Sequence, residues 1–142
     1  MLNLTVRDIM NPQLVYVDED ESTDVNAVRA KILAFGVSGV PVLDRSYRAT
    51  GFVSLRDVAS DGTVHVTRPA VTTEPTESVE AAAKKLVDKN LHHLVVVDER
   101  GIARGMVSAL DFLRAFAGLD PCHPSSFDRD PDVFGDCDGE DG

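Results

Sequence analysis

The sequence predicts an α/β (α+β) fold made of two pseudo-symmetric β-α-β-β-α repeats that pack face to face. The first observation is that GFVSLRD at residues 51–57 returns as GMVSALD at residues 105–111, 54 positions later. The second is that short apolar runs alternate in each half with stretches whose apolar residues have helical spacing. A chain of 142 residues has room for one compact unit or two very small ones, so we expect both halves to share one fold unit.

The repeat extends well beyond this motif and needs no gap. Pairs of identical residues at the same offset are Val17 and Val71, Val25 and Val79, Ala27 and Ala81, Val42 and Val96, Asp44 and Asp98, and Ala49 and Ala103. Where residues differ, apolar character often holds, as in Val40 and Leu94. A fixed period indicates one supersecondary unit copied along the chain. We therefore predict repeats at residues 5–62 and 63–118, followed by a tail at 119–142.

Each copy is predicted to contain the same elements in the same order. In the first copy they are LVYV (14–17), the helix STDVNAVRAKILAFG (22–36), VPVLD (40–44), GFVS (51–54) and a second helix opening at SLRDVA (54–59). In the second copy they are AVTT (70–73), TESVEAAAKKLVDKN (76–90), LVVVD (94–98), GMVS (105–108) and SALDFLRAF (108–116). We expect Ser22 or Thr23 to cap the first helix and Gly36 to close it. Asn90 stands in the place of Gly36 and tolerates the same left-handed conformation.

Composition excludes several classes of protein. Acidic residues outnumber basic ones by 24 to 14, which argues against binding a nucleic-acid backbone. No apolar run approaches the roughly 18–20 residues of a membrane span, and the N-terminus does not read as a secretory signal. The two cysteines, Cys122 and Cys137, do not indicate a disulfide scaffold, so we predict a cytoplasmic protein without a membrane partner.

The tail at residues 119–142 concentrates the acidic charge. It contains eight acidic residues and a single arginine, with prolines and glycines between them. Such a segment cannot bury enough apolar surface to offset the entropy of ordering it, so we predict that it is disordered. Its role is either solubility or the docking of a partner.

Three features carry a resemblance to a known family. They are VRDIM at residues 6–10, GVSGVPVLD at residues 36–44, and the two Gly-x-Val-Ser-x-x-Asp motifs. Over residues 5–118 the chain resembles a tandem pair of cystathionine β-synthase (CBS) domains, or Bateman module. The resemblance implies two copies packed sheet to sheet with approximate two-fold symmetry and two clefts between them. It also implies that the clefts bind an adenosine-containing ligand: AMP, ADP, ATP or S-adenosylmethionine.

The serine and aspartate of the repeated motif have two interpretations. Ser54 with Asp57, and Ser108 with Asp111, have the spacing of a helix capping box, as does TVRD at residues 5–8. The resemblance implies instead that both aspartates hold the ribose and that both serines lie near the ribose or phosphate. A carboxylate suits vicinal hydroxyls, and free N–H groups at a helix start suit a phosphate. The spacing by itself does not decide between them.

The two clefts are expected to differ. Arg56 lies inside the first motif and suits a phosphate, whereas its counterpart Leu110 is apolar. His92 and His93 are peculiar to the second copy, where a histidine either contacts a phosphate or is an ordinary, partly buried side chain. The resemblance places the adenine in the neighbourhoods of the first strands and the apolar strands: Val17, Val71, Val40 and Leu94.

The preferred function is a sensor that binds an adenosine-containing ligand in these clefts and signals to an unknown effector protein. The alternative is a ligand-free dimerisation or interaction module whose clefts are vestigial. Either version is expected to be a homodimer, through the apolar faces of the helices that begin at Ser54 and Ser108. We predict no enzyme, because Gly-x-Ser-x-Gly, Walker and His-Glu-x-x-His motifs are absent from the sequence. We expect no cofactor and no metal, since Cys122, His123 and Cys137 in a mobile acidic segment would be a poor site.

Overall fold

A computed structural model describes residues 3–58 and 63–123. The helices and strands are α1 (Val6–Ile9), β1 (Val17–Asp18), α2 (Val25–Phe35), β2 (Gly39–Leu43), β3 (Ala49–Ser54), β4 (Thr72–Thr73), α3 (Val79–Asp88), β5 (His93–Val97), β6 (Ala103–Ser108) and α4 (Ala109–Phe116). Two 3₁₀ turns occur at Glu21–Thr23 and Leu55–Val58. The second predicted helix of the first copy is thus a single 3₁₀ turn within the described residues.

The two copies form equivalent three-stranded sheets, which confirms the predicted fold class. The strand orders are β1-β2-β3 and β4-β5-β6, with the first pair parallel and the second antiparallel in each sheet. The registers match at the offset of the repeat, since Gly39 pairs with Ser54 and His93 with Ser108. Even the irregularity recurs, between Val42 and Leu43 in one sheet and between the equivalent residues of the other.

The helix ends confirm the closing residues and correct one cap. Gly36 and Asn90 are left-handed, with φ of 66° and 54°. The N-cap of α2 is Asp24, whose carboxylate accepts from the backbone N–H groups of the second and third helical residues at 3.0 and 3.2 Å. The expectation of Ser22 or Thr23 was wrong because both residues lie within the 3₁₀ turn, where their hydroxyls donate to the carbonyl groups of Glu19 and Asp20, at 2.7 and 2.9 Å.

Each copy has its own apolar core, and a third cluster lies between the sheets. The core of the first copy includes Val28, Ile32 and Val53, and the second has its own equivalent cluster. The third cluster joins Leu43 of β2 to residues of β5 and β6: Val95, Val97 and Ala103. Because this cluster draws on both sheets, the copies are held together by the apolar faces of those sheets.

The segments that lead into each copy lie against the other copy. The backbone of Asn11 exchanges two hydrogen bonds with Met106 of β6, at 2.8 and 3.1 Å, and Thr67 does the same with Phe52 of β3, at 2.9 Å each. Met106 and Phe52 occupy equivalent positions of the repeat. Helix α1 follows the same rule, because its buried residues Val6 and Ile9 belong to the core of the second copy. The leading segments therefore bring groups from each copy to the motif of the other.

Candidate clefts between the two copies

The serine and aspartate of both motifs form capping boxes. Ser54 donates to Oδ2 of Asp57 from its backbone N–H at 2.8 Å and its hydroxyl at 2.9 Å, and the backbone N–H of Asp57 donates back at 3.3 Å. Ser108 and Asp111 repeat this arrangement at 2.8, 3.2 and 3.3 Å. In each copy both bonds that the serine donates go to one carboxylate oxygen, Oδ2, and the aspartate N–H donates to the serine Oγ, so Oδ1 takes no part in the cap.

The first motif lies in a cleft of about 630 Å³, which we call the Asp57 cleft. It is lined by Ser38, Phe52, Ser54, Leu55, Arg56, Asp57, Thr67, Asn90, Leu91, His92, His93, Ser108, Ala109 and Leu110. The structure thus brings all three predicted site residues of the first copy to one wall. The second copy contributes lining residues from the loop that follows α3, the start of β5 and the start of α4.

The second motif lies in a smaller cleft of about 180 Å³, the Asp111 cleft. It is lined by Asn11, Phe35, Gly36, Val37, Ser38, Gly39, His93, Met106, Ser108, Leu110, Asp111, Cys122 and His123. Gly36, Val37 and Ser38 of this cleft are equivalent to Asn90, Leu91 and His92 of the Asp57 cleft. The two clefts are therefore pseudo-symmetric versions of one site, with different side chains.

The wall that the two clefts share contains a hydrogen bond between the copies. Ser38 and His93 line both clefts, and the Ser38 hydroxyl lies 2.7 Å from Nε2 of His93. The imidazole also packs on the Phe52 ring, with centroids 4.9 Å apart. Burial, with a smaller contribution from the neighbouring His92, lowers the pKa of His93 from 6.5 to about 4. At neutral pH the shared wall therefore presents an uncharged imidazole.

The second aspartate is the more deeply buried of the two. Asp111 is 8% exposed, whereas Asp57 is only partly buried. Burial raises the pKa of Asp111, opposed by the cap hydrogen bonds from Ser108 and by the charge of His123. The two carboxylates are thus held in the same cap but in different electrostatic surroundings.

The four residues near which the resemblance placed the adenine do not themselves line either cleft. Val17, Val40 and Leu94 have no exposed surface and fill the cores, and Val71 packs against the core of the second copy. The walls are instead Phe52 with Leu91 in one cleft and Met106 with Val37 in the other. Strand alternation carries a signal for this, because Phe52 follows buried Gly51 and precedes buried Val53, so it points to the other face of its sheet.

Two further sequence inferences concern metals and cysteines. Among residues 3–58 and 63–123, no group of three or more histidine, cysteine, aspartate or glutamate side chains could hold a metal ion. Cys122 is disulfide-bonded, which the sequence did not predict, and Cys137 lies outside the described residues. No helix in that part of the chain is long and apolar enough to cross a membrane.

The predicted tail overlaps the described residues only at its start. Residues 119–123 are described, and residues 124–142 lie outside the described part. His123 reaches the Asp111 cleft, a position that no sequence pattern indicated. The disorder of the tail therefore stays a prediction.

Two adjacent segments of the chain, residues 6–61 and 62–118, match the family model of the CBS domain. The resemblance seen in the sequence motifs is therefore confirmed by an independent comparison of the whole repeat region.

Solved structures agree with this match. The CBS-pair protein CBSX2 from Arabidopsis thaliana is 25% identical, with a TM-score of 0.71 over 82% of this chain and 96% of that one. CBSX2 has also been solved in complex with AMP. The CBS pair of protein MJ0100, in complex with 5′-methylthioadenosine and S-adenosyl-L-methionine, is 21% identical, with a TM-score of 0.74 over 80% and 96%. The CBS domain of the bacterial CNNM/CorC family Mg²⁺ transporter, in complex with ATP, is 23% identical, with a TM-score of 0.70 over 82% and 89%.

One curated protein is also similar to the chain. A homoserine O-acetyltransferase from Methanosalsum zhilinae is 26% identical over an alignment of 114 residues that covers 75% of this chain. The matched part is only 23% of that protein. A match to under a quarter of an enzyme carries no catalytic assignment to this chain.

Proposed function

Because the chain belongs to the CBS domain family as a tandem pair, we propose that it is a regulatory sensor module for an adenosine-containing ligand. The candidates are AMP, ADP, ATP and S-adenosylmethionine, and the output passes to an effector protein in trans. The observation that carries the proposal is the Asp57 cleft, which gathers Ser54, Arg56 and Asp57 on one wall. Its volume of about 630 Å³ falls within the roughly 300–1,000 Å³ typical of small-molecule sites.

The capping box and the ribose site are compatible in this geometry. The cap bonds of Asp57 go to Oδ2, so the carboxylate is already oriented before a ligand arrives. An ionised carboxylate only accepts hydrogen bonds and has capacity at both oxygens, and ribose hydroxyls are donors. A preoriented acceptor lowers the entropy cost of binding. We therefore assign Asp57 to the ribose and place Ser54 beside it.

The rest of the cleft suits a base and a phosphate. Phe52 and Leu91 provide apolar surface from the two copies, which fits the flat faces of adenine. Arg56 supplies a guanidinium, whose planar donors match phosphate oxygens. The neutral imidazole of His93 lines the same cleft and adds polarity without charge. We infer that the Asp57 cleft favours the more phosphorylated ligands.

The test is calorimetry and thermal shift with AMP, ADP, ATP and S-adenosylmethionine on matched variants. Asp57→Asn weakens the carboxylate toward hydroxyl donors, and we expect it to cost about 1–3 kcal/mol of binding. Asp8→Asn is the control, because Asp8 accepts from Thr5 in a capping box of the same form at 2.9 and 3.2 Å but lines neither cleft. Ligand at about a hundred times its Kd should add roughly 2.7 kcal/mol of stability.

Two outcomes would overturn the proposal. One is that none of the four ligands raises the melting temperature of the wild-type protein. The other is that Asp57→Asn binds as tightly as Asp8→Asn, which would leave the aspartate with a capping role alone.

A second candidate function is a ligand-free dimerisation module, which would use an exposed apolar face. Along α4 and the residue that follows its closing turn, Leu110, Leu113, Phe116 and Leu119 are 63, 64, 50 and 54% exposed. Contiguous apolar surface of this kind marks interaction sites. We propose a homodimer through this face in either case, so ligand binding and not assembly separates the two functions. We propose no catalytic activity, and the cytoplasmic location stays a prediction.

A further inference from the structure

The chain turns back after α4 and enters the Asp111 cleft. Gly118 adopts a left-handed φ of 76°. The backbone N–H of Leu119 donates to the carbonyl of Arg114 at 2.8 Å. The guanidinium of Arg114 then donates through Nε to the carbonyl of Asp120 at 2.7 Å. These contacts direct the next residues away from solvent and toward the motif of the second copy.

His123 lies against the carboxylate that would hold a ribose. Its Nε2 is 3.1 Å from the carbonyl oxygen of Ile9, and its Nδ1 is 3.7 Å from Oδ1 of Asp111. The side chains of His123 and Asp111 are only 19% and 10% exposed. Since Oδ2 of Asp111 accepts the cap bonds of Ser108, the imidazole stands at the oxygen that the cap leaves over.

We call the position of His123, between the carbonyl of Ile9 and Oδ1 of Asp111, its seat, and each ring nitrogen faces one of these two oxygens there. The carbonyl of Ile9 can only accept, so Nε2 donates to it, and Nδ1 then faces Oδ1 of the carboxylate. The seat thus uses the same acceptor that two ribose hydroxyls would need.

The two clefts differ in volume, as expected if His123 fills part of one of them. They are equivalent by the repeat, yet their volumes are about 630 Å³ for the Asp57 cleft and about 180 Å³ for the Asp111 cleft. Cys122 and His123 line only the smaller one. The equivalent of His123 at the repeat offset, Pro69, lines neither cleft.

We propose that Cys122–His123 is an intramolecular occupant of the Asp111 cleft, which ligand must displace before it can bind there. An adenosine-containing ligand then fills the Asp57 cleft first. Filling the second cleft releases the C-terminal segment from Ile9 and Asp111. This inference rests on the proposed function for its ligand, whereas the contacts of His123 with Ile9 and Asp111 do not depend on that function.

The first test is the stoichiometry of AMP binding to the full chain by calorimetry. We expect one strong equivalent for the wild type and a second one for His123→Ala, with the affinity of the Asp111 cleft raised about tenfold or more as the competing state is removed. Asp120→Ala is the matched control, since only the backbone carbonyl of Asp120 contacts Arg114. Adding Asp111→Asn to His123→Ala should remove the second equivalent again.

The second test needs no ligand and follows the ring signals of His123 by ¹H–¹³C NMR, assigned by their loss in His123→Ala. We expect Asp111→Asn to move these signals and Asp57→Asn to leave them unchanged. In the wild type, AMP should move them toward the positions seen in Asp111→Asn, in the concentration range of the second equivalent.

The outcomes separate the two ideas. Two equal equivalents of AMP in the wild type, or identical binding by His123→Ala and the wild type, would overturn the competition. If the His123 signals do not move in Asp111→Asn, the contact between His123 and Asp111 is itself refuted. No binding of AMP by any variant would overturn both the proposed AMP site and the competition, and the NMR comparison would still decide whether His123 is seated.

Discussion

Lowering the pH should destabilise the protein through His93. The pKa of this imidazole is about 4 in the folded protein, against 6.5 for an unperturbed histidine, mainly because the ring is buried. The unfolded chain therefore binds a proton between these values that the folded protein does not bind. The stability that the neutral ring provides is fully present above pH 6.5 and is lost as the pH falls toward 4.

The size of the effect follows from the two pKa values. Each pKa unit corresponds to about 1.36 kcal/mol, so the full difference is worth about 3 kcal/mol. Between pH 7.5 and pH 5 the linkage relation gives a loss of about 2 kcal/mol of unfolding free energy. That is a large part of the roughly 5–15 kcal/mol by which a small domain is stable.

The assay is urea denaturation followed by circular dichroism at pH 7.5 and pH 5. His93→Gln keeps a polar group near Ser38 but does not titrate, so this variant should lose about 2 kcal/mol less than the wild type between the two pH values. His65→Gln is the control, because His65 is an exposed histidine that lines neither cleft. Equal pH dependence for the wild type and His93→Gln would refute the reasoning.

Two other perturbations test the assembly and the packing. Leu113→Glu places a charge in the exposed apolar face of α4, so the mass measured by light scattering should fall from that of a dimer to that of a monomer. A wild type that is monomeric at micromolar concentration would refute the proposed dimer. Gly105→Ala would place a Cβ 2.4 Å from the carbonyl oxygen of Asn11. Because this oxygen belongs to the backbone, it cannot easily move aside, and we expect the melting temperature to fall by at least several degrees. An unchanged melting temperature would show that this contact is loose.

The sequence predicted the fold well because the fold is written twice. Identity at a constant offset marks positions with the same surroundings, so Val42 and Val96 had to lie at the same place in two similar sheets. Residue type also predicted where the helices end, because Gly36 and Asn90 tolerate the left-handed conformation that is needed there. These features depend on neighbours in sequence or on the repeat, and both are visible in one chain.

What escaped prediction depends on contacts between distant parts of the chain. Val6 and Ile9 belong to the first copy in sequence but fill the core of the second. Ser22 was a good cap candidate by type, yet Asp24 has the better position by two residues. His123 reaches Ile9 across 114 positions, and composition alone placed it in a solvated tail. No local pattern reports which distant surface a segment will meet.

The crossing of the leading segments explains the glycine of the repeated motif. A Cβ on Gly51 would meet a side-chain carbon of Val66 at 2.7 Å and the carbonyl of Thr67 at 3.0 Å, and Gly105 has the same problem with Asn11. In both copies the glycine therefore leaves room for the leading segment of the other copy, which a side chain at this position would displace.

This crossing also decides how the molecule can be divided. Cutting the chain between the repeats would take Val6 and Ile9 away from the core that they complete, so the second half would begin with a gap in its interior. Each half thus depends on the leading segment of the other half. We therefore expect the two repeats to unfold as a single cooperative unit, because unfolding of one half removes part of the packing of the other.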